Sequence, residues 1–259
     1  MGEQEVTQFL SSLATDRNLS ASSQNQALSA LFFLYQNVLG RELDWLDRVV
    51  RAKRPLRVPM VLSREEVTAV LNRLHGTPWL MASLLYGAGL RVLECARLRV
   101  KDVDLSRKEL IVRDGKGRKD RVTLVPGTLV ATLTAQLERV QVQHRSDLQQ
   151  GGGFVELPYA LRRKYPQAAR QWGWQWVFPA TRTYLHPETR ERRRHHLDES
   201  VLQRAVRQAV REGGIAKPAT CHTLRHYAGT GITGTRLPQP YSKTVTTFAR
   251  SRNFSDIET

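Results

Sequence analysis

The sequence is short of cysteine and has no long apolar run. It contains two cysteines among 259 residues, too few for a disulfide framework, so we expect free thiols in a reducing compartment. No apolar stretch approaches the ~20 residues that a membrane-spanning helix needs. The first residues have the pattern of neither a signal peptide nor a transit peptide. We therefore expect a soluble cytoplasmic protein without a membrane partner.

Acidic residues are also scarce relative to basic ones. The chain has 24 Asp and Glu against 40 Lys and Arg, which gives a net charge of +16 and a pI near 10.6. Such an excess says little about the fold, but it favours a polyanionic partner, above all nucleic acid. An anionic membrane surface is the alternative, although no lysine-rich amphipathic anchor stands out. Charge alone leaves DNA, RNA and an ordinary basic protein open.

Apolar residues recur at helical spacing through much of the chain, and this period predicts helices. Ser63 and Glu66 have the spacing of a capping box at the start of one helix, and glycines mark several helix ends. The predicted helices lie over 6–13, 20–39, 45–51, 63–74, 78–86, from 92 onward, 128–144 and 200–212.

Two short β-branched runs, 109–112 and 122–125, flank a glycine-containing turn at 113–121. This pattern predicts a β-hairpin, and a further short strand or turn is expected at 177–179. The sequence therefore predicts a mainly α fold with a small β-sheet or hairpin, in the α+β class.

Residues 51–63 combine two prolines with a cluster of basic side chains. This composition predicts an extended, positively charged linker. A solvated connector is one interpretation, and a strap that lies on phosphates is the other, which the net charge favours. The expected contacts of the strap are Arg51, Lys53, Arg54 and Arg57, and the expected contacts of the hairpin face are Arg118, Lys119 and Arg121.

Four separated residues have side chains suited to phosphate chemistry. Arg91 follows the glycine turn YGAGL, and Lys116 lies at the tip of the predicted hairpin. His222 and Arg225 are three apart and so share one helix face. Arginines suit the non-bridging oxygens of a phosphate, where charge develops in the transition state, and lysine or histidine can move protons. Each residue alone is a weak signal, because such side chains are usually solvated.

A metal site is the competing interpretation of one of these segments. Cys221, His222 and His226 lie close enough in sequence to imitate one. No second Cys/His pair has suitable spacing and no cluster of acidic metal ligands is evident, so we predict no metal. Cys221 then fits a small apolar position.

The segments LLYGAGLRVLECARLRVKDVDL, GKGRKDRVTLVP and CHTLRH occur in an order and spacing that resemble the tyrosine site-specific recombinases. The resemblance covers nearly all of the chain up to His226. It implies that the catalytic residues are Arg91, Lys116, His222 and Arg225, and that Glu94 supports Arg91. It also implies DNA breaking and rejoining through a 3′-phosphotyrosine, without metal or nucleotide, by a tetramer on two DNA sites.

Two further segments, LPYALRRKYPQAARQWGWQWVFPA and ERRRHHLDESVLQRAV, resemble the integron integrases. Those enzymes have an inserted helix that holds extrahelical bases of a folded single-stranded recombination site. Here the insertion would span about 147–176, where basic and aromatic side chains suit phosphates and unstacked bases. The expected contacts are Arg162, Arg163, Lys164, Trp172 and Trp174. The alternative is a core helix with a solvated basic face, which is the commoner role for any one tryptophan.

The sequence after His226 departs from the family. Members continue with SFATHLL and LLGH and place the nucleophilic tyrosine about 32 residues after the second arginine, a position that Ile257 occupies here. Tyr227 and Tyr241 lie in sequence foreign to the family. Codons for residues 235–259, read two bases later, permit nearly the missing family sequence. We therefore expect an insertion after the codon for His226, a lost reading frame and termination before the tyrosine codon.

These patterns predict four parts. They are a partial N-terminal helical core-binding domain of SAM-like type at 1–50, a basic linker at 51–62, a tyrosine-recombinase catalytic domain at 63–226 and an aberrant tail at 227–259. The N-terminal part is short relative to the family. The predicted function is that of an integron integrase-type recombinase, defective in cleavage, that acts at the bacterial nucleoid on folded single-stranded and double-stranded sites. The alternative is a non-catalytic remnant that binds such sites without cleaving them, and a third possibility is an RNA-binding or structural basic protein.

Overall fold

The computed structural model describes residues 3–41, 49–52, 61–115, 119–158 and 161–228. The chain divides into two compact units, Met1–Pro59 and Met60–Thr259, and each has its own apolar core. Helices dominate both units, and the second also has small antiparallel sheets. The prediction of a mainly helical α+β fold is therefore confirmed. Within the described ranges, no helix combines the length and apolarity that crossing a bilayer requires.

The first unit contains the helices α1 (Glu3–Thr15) and α2 (Ala21–Phe33), and α2 continues into a π-helical turn at Leu34–Val38. Ser20 caps α2, because its hydroxyl accepts a hydrogen bond from the N–H of Ser23 at 3.3 Å. The helices predicted over 6–13 and 20–39 are thus confirmed. Their shared core consists of Val6, Leu10, Leu13, Tyr35 and Val49.

A buried glutamine joins the end of this unit to its core. The amide of Gln24 donates to the carbonyls of Leu10 at 2.8 Å and Val50 at 2.7 Å, and accepts from the N–H of Ala52 at 2.9 Å. These bonds satisfy polar groups that would otherwise be buried without partners. Residues 49–52 are not helical, and the rest of the helix predicted over 45–51 lies outside the described residues.

The second unit begins with α3 (Arg64–Leu71), α4 (Gly76–Ala88) and α5 (Val92–Ala96). Ser63 and Glu66 form the predicted capping box, in which each backbone N–H donates to the other side chain, at 2.6 and 3.2 Å. Helix α3 ends at Leu71 rather than at the predicted position 74. Gly89 ends α4 in the left-handed region, at φ +66, which a glycine adopts without strain.

The predicted hairpin is present and belongs to a three-stranded antiparallel sheet. Its strands are β1 (Val103–Asp104), β2 (Glu109–Val112) and β3 (Arg121–Leu124), in the order β1-β2-β3. Val112 pairs with Arg121 at the turn end. Strand β1 was not predicted, because two residues are too short to show an alternating pattern.

Helix α6 (Val130–Gln149) extends five residues beyond the predicted end at 144. The region of the predicted insertion then forms a short helix, α7 (Leu161–Lys164), and 3-10 turns at Pro166–Arg170 and Trp172–Trp174. A second hairpin follows, formed by β4 (Pro179–Leu185) and β5 (Arg192–His196).

The β4–β5 hairpin was not predicted beyond a short strand or turn at 177–179. Strand β5 has the sequence RRRHH, which lacks the apolar alternation that indicates a half-buried strand. Two of its three arginines, Arg193 and Arg194, are instead buried and paired with acidic side chains. Arg193 pairs with Glu191 at 2.6 Å and also with Glu156, and Arg194 pairs with Asp147 at 2.6 Å.

The described part of the chain ends with α8 (Glu199–Glu212) and α9 (Cys221–Ala228). Asp198 caps α8 by accepting from the N–H of Ser200 at 2.9 Å, so the helix predicted over 200–212 is confirmed. The apolar faces of α4, α8 and α9 meet in one core, which includes Leu80, Leu84, Leu85, Leu202, Val206 and Leu224. This packing brings the start of α9 close to the end of α4.

Candidate functional site

Arg91 lies between the left-handed end of α4 and the first turn of α5, where it is the N-cap residue. Leu90 before it is fully buried, which fixes the turn. The N–H of Arg91 donates to Oε2 of Glu94 at 2.7 Å, and its Nη1 donates to Oε1 at 2.6 Å. Glu94 therefore contacts Arg91 as the family resemblance implies.

Glu94 also binds a second arginine. Nη1 and Nη2 of Arg121 donate to Oε1 at 2.9 Å and Oε2 at 2.6 Å. The Glu94 side chain is only 7% exposed. Burial alone would raise the pKa of this carboxyl, but the hydrogen bonds from Arg121 and Arg91 outweigh it and lower the pKa to about 2. Glu94 is therefore an anion across the whole physiological range.

Arg225 reaches the same place from α9. Its Nε donates to the carbonyl of Gly89 at 2.9 Å, so the turn that presents Arg91 also holds Arg225. Burial, and then the nearby charge of Arg91, lower the pKa of this guanidinium. Two guanidinium groups thus bind one carboxylate and a third, that of Arg225, lies near them, which leaves a positive surplus for an anionic ligand.

A cleft of about 450 Å³ opens beside these groups and is lined by Arg91, His222 and Arg225. His222 is an exposed residue in the first turn of α9. The structure thus brings three of the four predicted catalytic residues to one cleft. It adds Arg207 of α8, which also lines the cleft and which the sequence did not single out, because its position on an amphipathic helix resembles that of an ordinary solvated arginine.

The fourth predicted catalytic residue, Lys116, and the expected contact Arg118 lie outside the described residues. The hairpin that carries them nevertheless runs against the site. A Cβ built on Gly115 would lie 2.8 Å from the carbonyl oxygen of Lys119, 3.0 Å from Nη1 of Arg121 and 3.8 Å from Oε1 of Glu94. A side chain at position 115 would therefore collide with the hairpin itself, so glycine is required by close approach.

Both cysteines are buried as free thiols. Burial raises the pKa of the Cys221 thiol to about 11, and it raises the pKa of the Cys95 thiol further, so neither is a reactive thiolate at neutral pH. Among the described residues, no group of three or more His, Cys, Asp or Glu side chains could hold a metal ion.

The remaining predicted DNA contacts are only partly described. Arg51 and Lys119 are exposed, and Lys53, Arg54 and Arg57 lie outside the described residues. Arg121 was expected to contact phosphate. The structure instead places both of its Nη atoms on Glu94.

In the predicted insertion, the expected basic contacts and the expected tryptophan contacts differ in exposure. Arg163 and Lys164 are exposed, whereas Arg162 is half-buried with its Nη2 3.5 Å from the Glu191 carboxylate. Trp172 is half-buried and stacks on His144, with ring centroids 6.1 Å apart.

Trp174 is half-buried among apolar neighbours, and Nζ of Lys101 lies 3.0 Å from the centroid of its ring. The rings of the insertion therefore contribute to packing in this structure. Whether they also stack on bases stays a prediction.

A buried arginine outside the insertion binds two of its backbone carbonyls. Arg99 donates to the carbonyls of Trp174 at 2.7 Å and Glu156 at 2.6 Å, and its guanidinium lies 3.2 Å from the ring centroid of Trp176. Like the buried Arg193 and Arg194, this residue is a cation that does not reach the surface. The cations available to a polyanion are therefore fewer than the composition alone indicates.

Sequence comparison gives two family matches. Residues 61–239 match the sequence model of the phage integrase family, and residues 1–45 match that of the phage integrase N-terminal SAM-like domain. An integrase/recombinase from Escherichia coli and another from Pseudomonas aeruginosa are each 44% identical over 232 residues, which is 90% of this chain and 69% of theirs.

Solved structures show the same fold at much lower identity. A lambda integrase dimer bound to a core site superposes with a TM-score of 0.54 at 15% identity, over 88% of this chain and 56% of that one. The XerH recombinase in a post-cleavage complex with its palindromic difH substrate gives 0.52 at 17%, over 88% and 60%. At such identities the likeness extends to the fold alone.

Proposed function

The chain belongs to the phage integrase family, the tyrosine recombinases, and from that premise we propose that it is an integron integrase-type site-specific DNA recombinase whose own cleavage step is defective. It binds recombination sites and grips a backbone phosphate, but it has no tyrosine where the family places its nucleophile. Its proposed place of action is the bacterial cytoplasm, on the nucleoid.

The observation that carries this proposal is the cleft lined by Arg91, His222 and Arg225. Two guanidinium groups on one phosphate neutralise its non-bridging oxygens and stabilise the charge that develops during transfer. His222 is placed to exchange a proton with a bridging oxygen, and Lys116 is expected to do the same from the hairpin. These residues together supply a phosphoryl transfer that needs no metal.

The defect concerns the nucleophile. In the family, tyrosine attacks the phosphate and forms a 3′-phosphotyrosine, which splits strand exchange into two transesterifications. Here Ile257 occupies the family's tyrosine position, and Tyr227 and Tyr241 lie elsewhere in unrelated sequence. In-line attack needs the reacting oxygen at roughly 3–3.5 Å from phosphorus, and we expect neither tyrosine to supply it, because neither is at the family's position.

The integron-type specificity rests on the insertion. Arg163 and Lys164 of α7 are exposed beside the half-exposed ring of Tyr165, a combination that suits the backbone and an unstacked base of a folded single strand. Family members assemble as tetramers on two DNA sites. For this chain we propose binding without a productive tetramer, because the sequence after His226 departs from that of the family.

An alternative function is a DNA-binding remnant that recognises recombination sites and never cleaves them, a role favoured by the absence of a tyrosine at the family's position.

A gel-shift series distinguishes DNA binding, which both functions require, from RNA binding. It uses a folded cassette-site hairpin, the matched duplex and an unrelated RNA stem-loop of equal length. We expect the hairpin to be bound best and the RNA least. Equal affinity for RNA and hairpin would contradict the proposal.

The reading-frame explanation has its own test. Sequencing the gene across the codons for residues 226–259 and beyond should reveal the LLGH motif and a tyrosine codon in the alternate frame. A downstream region that lacks both would refute a frameshift as the reason why the tyrosine is missing.

A further inference from the structure

We propose that Arg121 is a positioning residue, which holds Glu94 and through it sets the orientation of Arg91 toward a phosphate. The inference rests on the proposed function and deepens it. It assigns to Arg121 a role inside the catalytic cluster in place of the direct DNA contact that its basic character predicts.

The hydrogen bonds of Glu94 carry the argument. Its two oxygens accept four bonds, two from Arg91 at 2.6 and 2.7 Å and two from Arg121 at 2.6 and 2.9 Å. The side chain is 7% exposed, so water competes little for these positions. The fork of Arg121 is thus directed at Glu94, which takes two of its five N–H donors.

A second cation matters because the Arg91–Glu94 pair alone is loosely defined. The two residues are three apart at the start of a five-residue helix, and the Arg91 side chain is 34% exposed. A carboxylate held by one guanidinium can still rotate about its last bond. A planar, two-pronged contact from Arg121 fixes the plane of the carboxylate, which a point charge does not do.

Strand β3 gives this contact a rigid base. Arg121 pairs with Val112 in the sheet, and two residues later the hydroxyl of Thr123 donates to the carbonyl of Ala88 at 2.9 Å. Ala88 is the last residue of α4, directly before the turn that carries Arg91. The contacts therefore form a closed loop, which runs from α4 through Arg91, Glu94 and Arg121 to β3 and back to α4.

The charges of these residues also support a positioning role for Arg121. Arg121 offsets the negative charge of Glu94, so that Arg91 and Arg225 keep their full attraction for an anion. Within the described residues, Arg91 makes one side-chain hydrogen bond, from Nη1 to Glu94, so its other N–H groups are available to a phosphate. Removing Arg121 would let Glu94 compete with the phosphate for Arg91.

The test uses two variants of the full chain. Arg121→Gln removes both the charge and the two-pronged contact with Glu94, whereas Arg121→Lys keeps the charge and removes the two-pronged contact. Arg107→Gln is the matched control. It removes an arginine of the turn between β1 and β2 that pairs with Glu109 at 3.2 Å and is 70% exposed.

The first readout is the binding of inorganic phosphate, followed by the NMR signals of the Arg91 and Arg225 guanidinium groups. We expect Arg121→Gln to weaken phosphate binding about tenfold, the effect of misaligning one charge-assisted contact. Arg121→Lys should fall between Arg121→Gln and the unaltered chain, and Arg107→Gln should match the latter. Thermal unfolding of each variant reports whether it is folded.

The second readout is the pH titration of the Glu94 carboxyl carbon, assigned with Glu94→Gln. Its midpoint should rise in Arg121→Gln and stay unchanged in Arg107→Gln. The proposal is overturned if folded Arg121→Gln binds phosphate within twofold of the unaltered chain, or if phosphate does not shift the Arg91 signals of the unaltered chain. If both readouts follow expectation while the chain fails to bind DNA, the positioning role stands and the proposed function fails.

Discussion

At the scale of single residues, Glu94 connects Arg91 to the neighbouring sheet. The sequence predicted its support of Arg91 through family resemblance. It did not predict the contact with Arg121, because 27 residues separate the two and only the pairing of β3 with β2 brings them together. Residue types and short spacings were readable from the sequence, whereas contacts that depend on sheet register were not.

The depressed pKa of Glu94 predicts a pH-dependent stability. The folded-state pKa is about 2, below the ordinary value near 4.3, so the ionised carboxylate stabilises the fold above the ordinary value and this contribution is lost as pH falls toward 2. Glu94→Gln should lower the free energy of unfolding by about 2 kcal/mol at pH 7. Denaturant unfolding between pH 7 and 3 should show this difference shrinking at low pH, and a difference that is constant with pH would contradict the assignment.

Gly87 offers a test of the packing behind the site. Replacing a helix-interior glycine by alanine ordinarily stabilises a protein by about 0.5–1 kcal/mol. Here a Cβ would lie 2.5 Å from Cγ of Pro126, so we expect Gly87→Ala to destabilise the fold by about 1–3 kcal/mol. Gly127→Ala is the control, because no atom lies within 4 Å of its Cβ position. A higher melting temperature for Gly87→Ala would show that Pro126 moves aside freely.

At the scale of secondary-structure elements, apolar period and capping predicted most helices, and charge-paired elements were missed. Helices α3 and α8 begin at capping residues that the sequence displays, Ser63 and Asp198. The β4–β5 hairpin has no such signal, since the buried Arg193 and Arg194 of β5 form ion pairs with Asp147, Glu156 and Glu191. Such pairs join distant positions, and no local pattern marks them.

The insertion predicts separate effects for its cations and its rings. Replacing exposed Arg163 and Lys164 by alanine should weaken hairpin binding more than duplex binding and leave the melting temperature unchanged. The slope of log K against log salt should fall by roughly 0.7–0.9 for every phosphate that is no longer neutralised. Parallel losses on hairpin and duplex would place α7 outside any structure-specific contact.

Trp174 should behave differently, because it packs in the apolar cluster of Leu157, Ala168 and Ala169 and against Lys101. Trp174→Ala should lower the melting temperature, in keeping with about 3 kcal/mol or more for removing a packed tryptophan. Trp174→Phe is the matched control and should recover most of the stability. A selective loss of hairpin binding with unchanged stability would instead identify the ring as a base-stacking platform.

At the scale of the whole molecule, the net charge is +16, but some of the basic side chains are not at the surface. Arg99, Arg193 and Arg194 are buried, so the composition overstates the number of basic side chains that DNA can reach. We expect the strap to supply much of the rest. Replacing Arg51, Lys53, Arg54 and Arg57 together by alanine should flatten the salt dependence of DNA binding by about 0.7–0.9 for each phosphate that the strap neutralises. An unchanged slope would refute the strap as a phosphate-binding segment.

The central claim is a built phosphate site without its nucleophile, and a covalent-trap assay on a nicked suicide DNA substrate tests it most directly. The chain should shift the substrate in a native gel, and Arg91→Ala with Arg225→Ala should weaken that shift. After denaturation in detergent, no protein should remain attached to the DNA. A detergent-resistant protein–DNA adduct that Tyr241→Phe abolishes would contradict the account, because it would show that this chain supplies a working nucleophile after all.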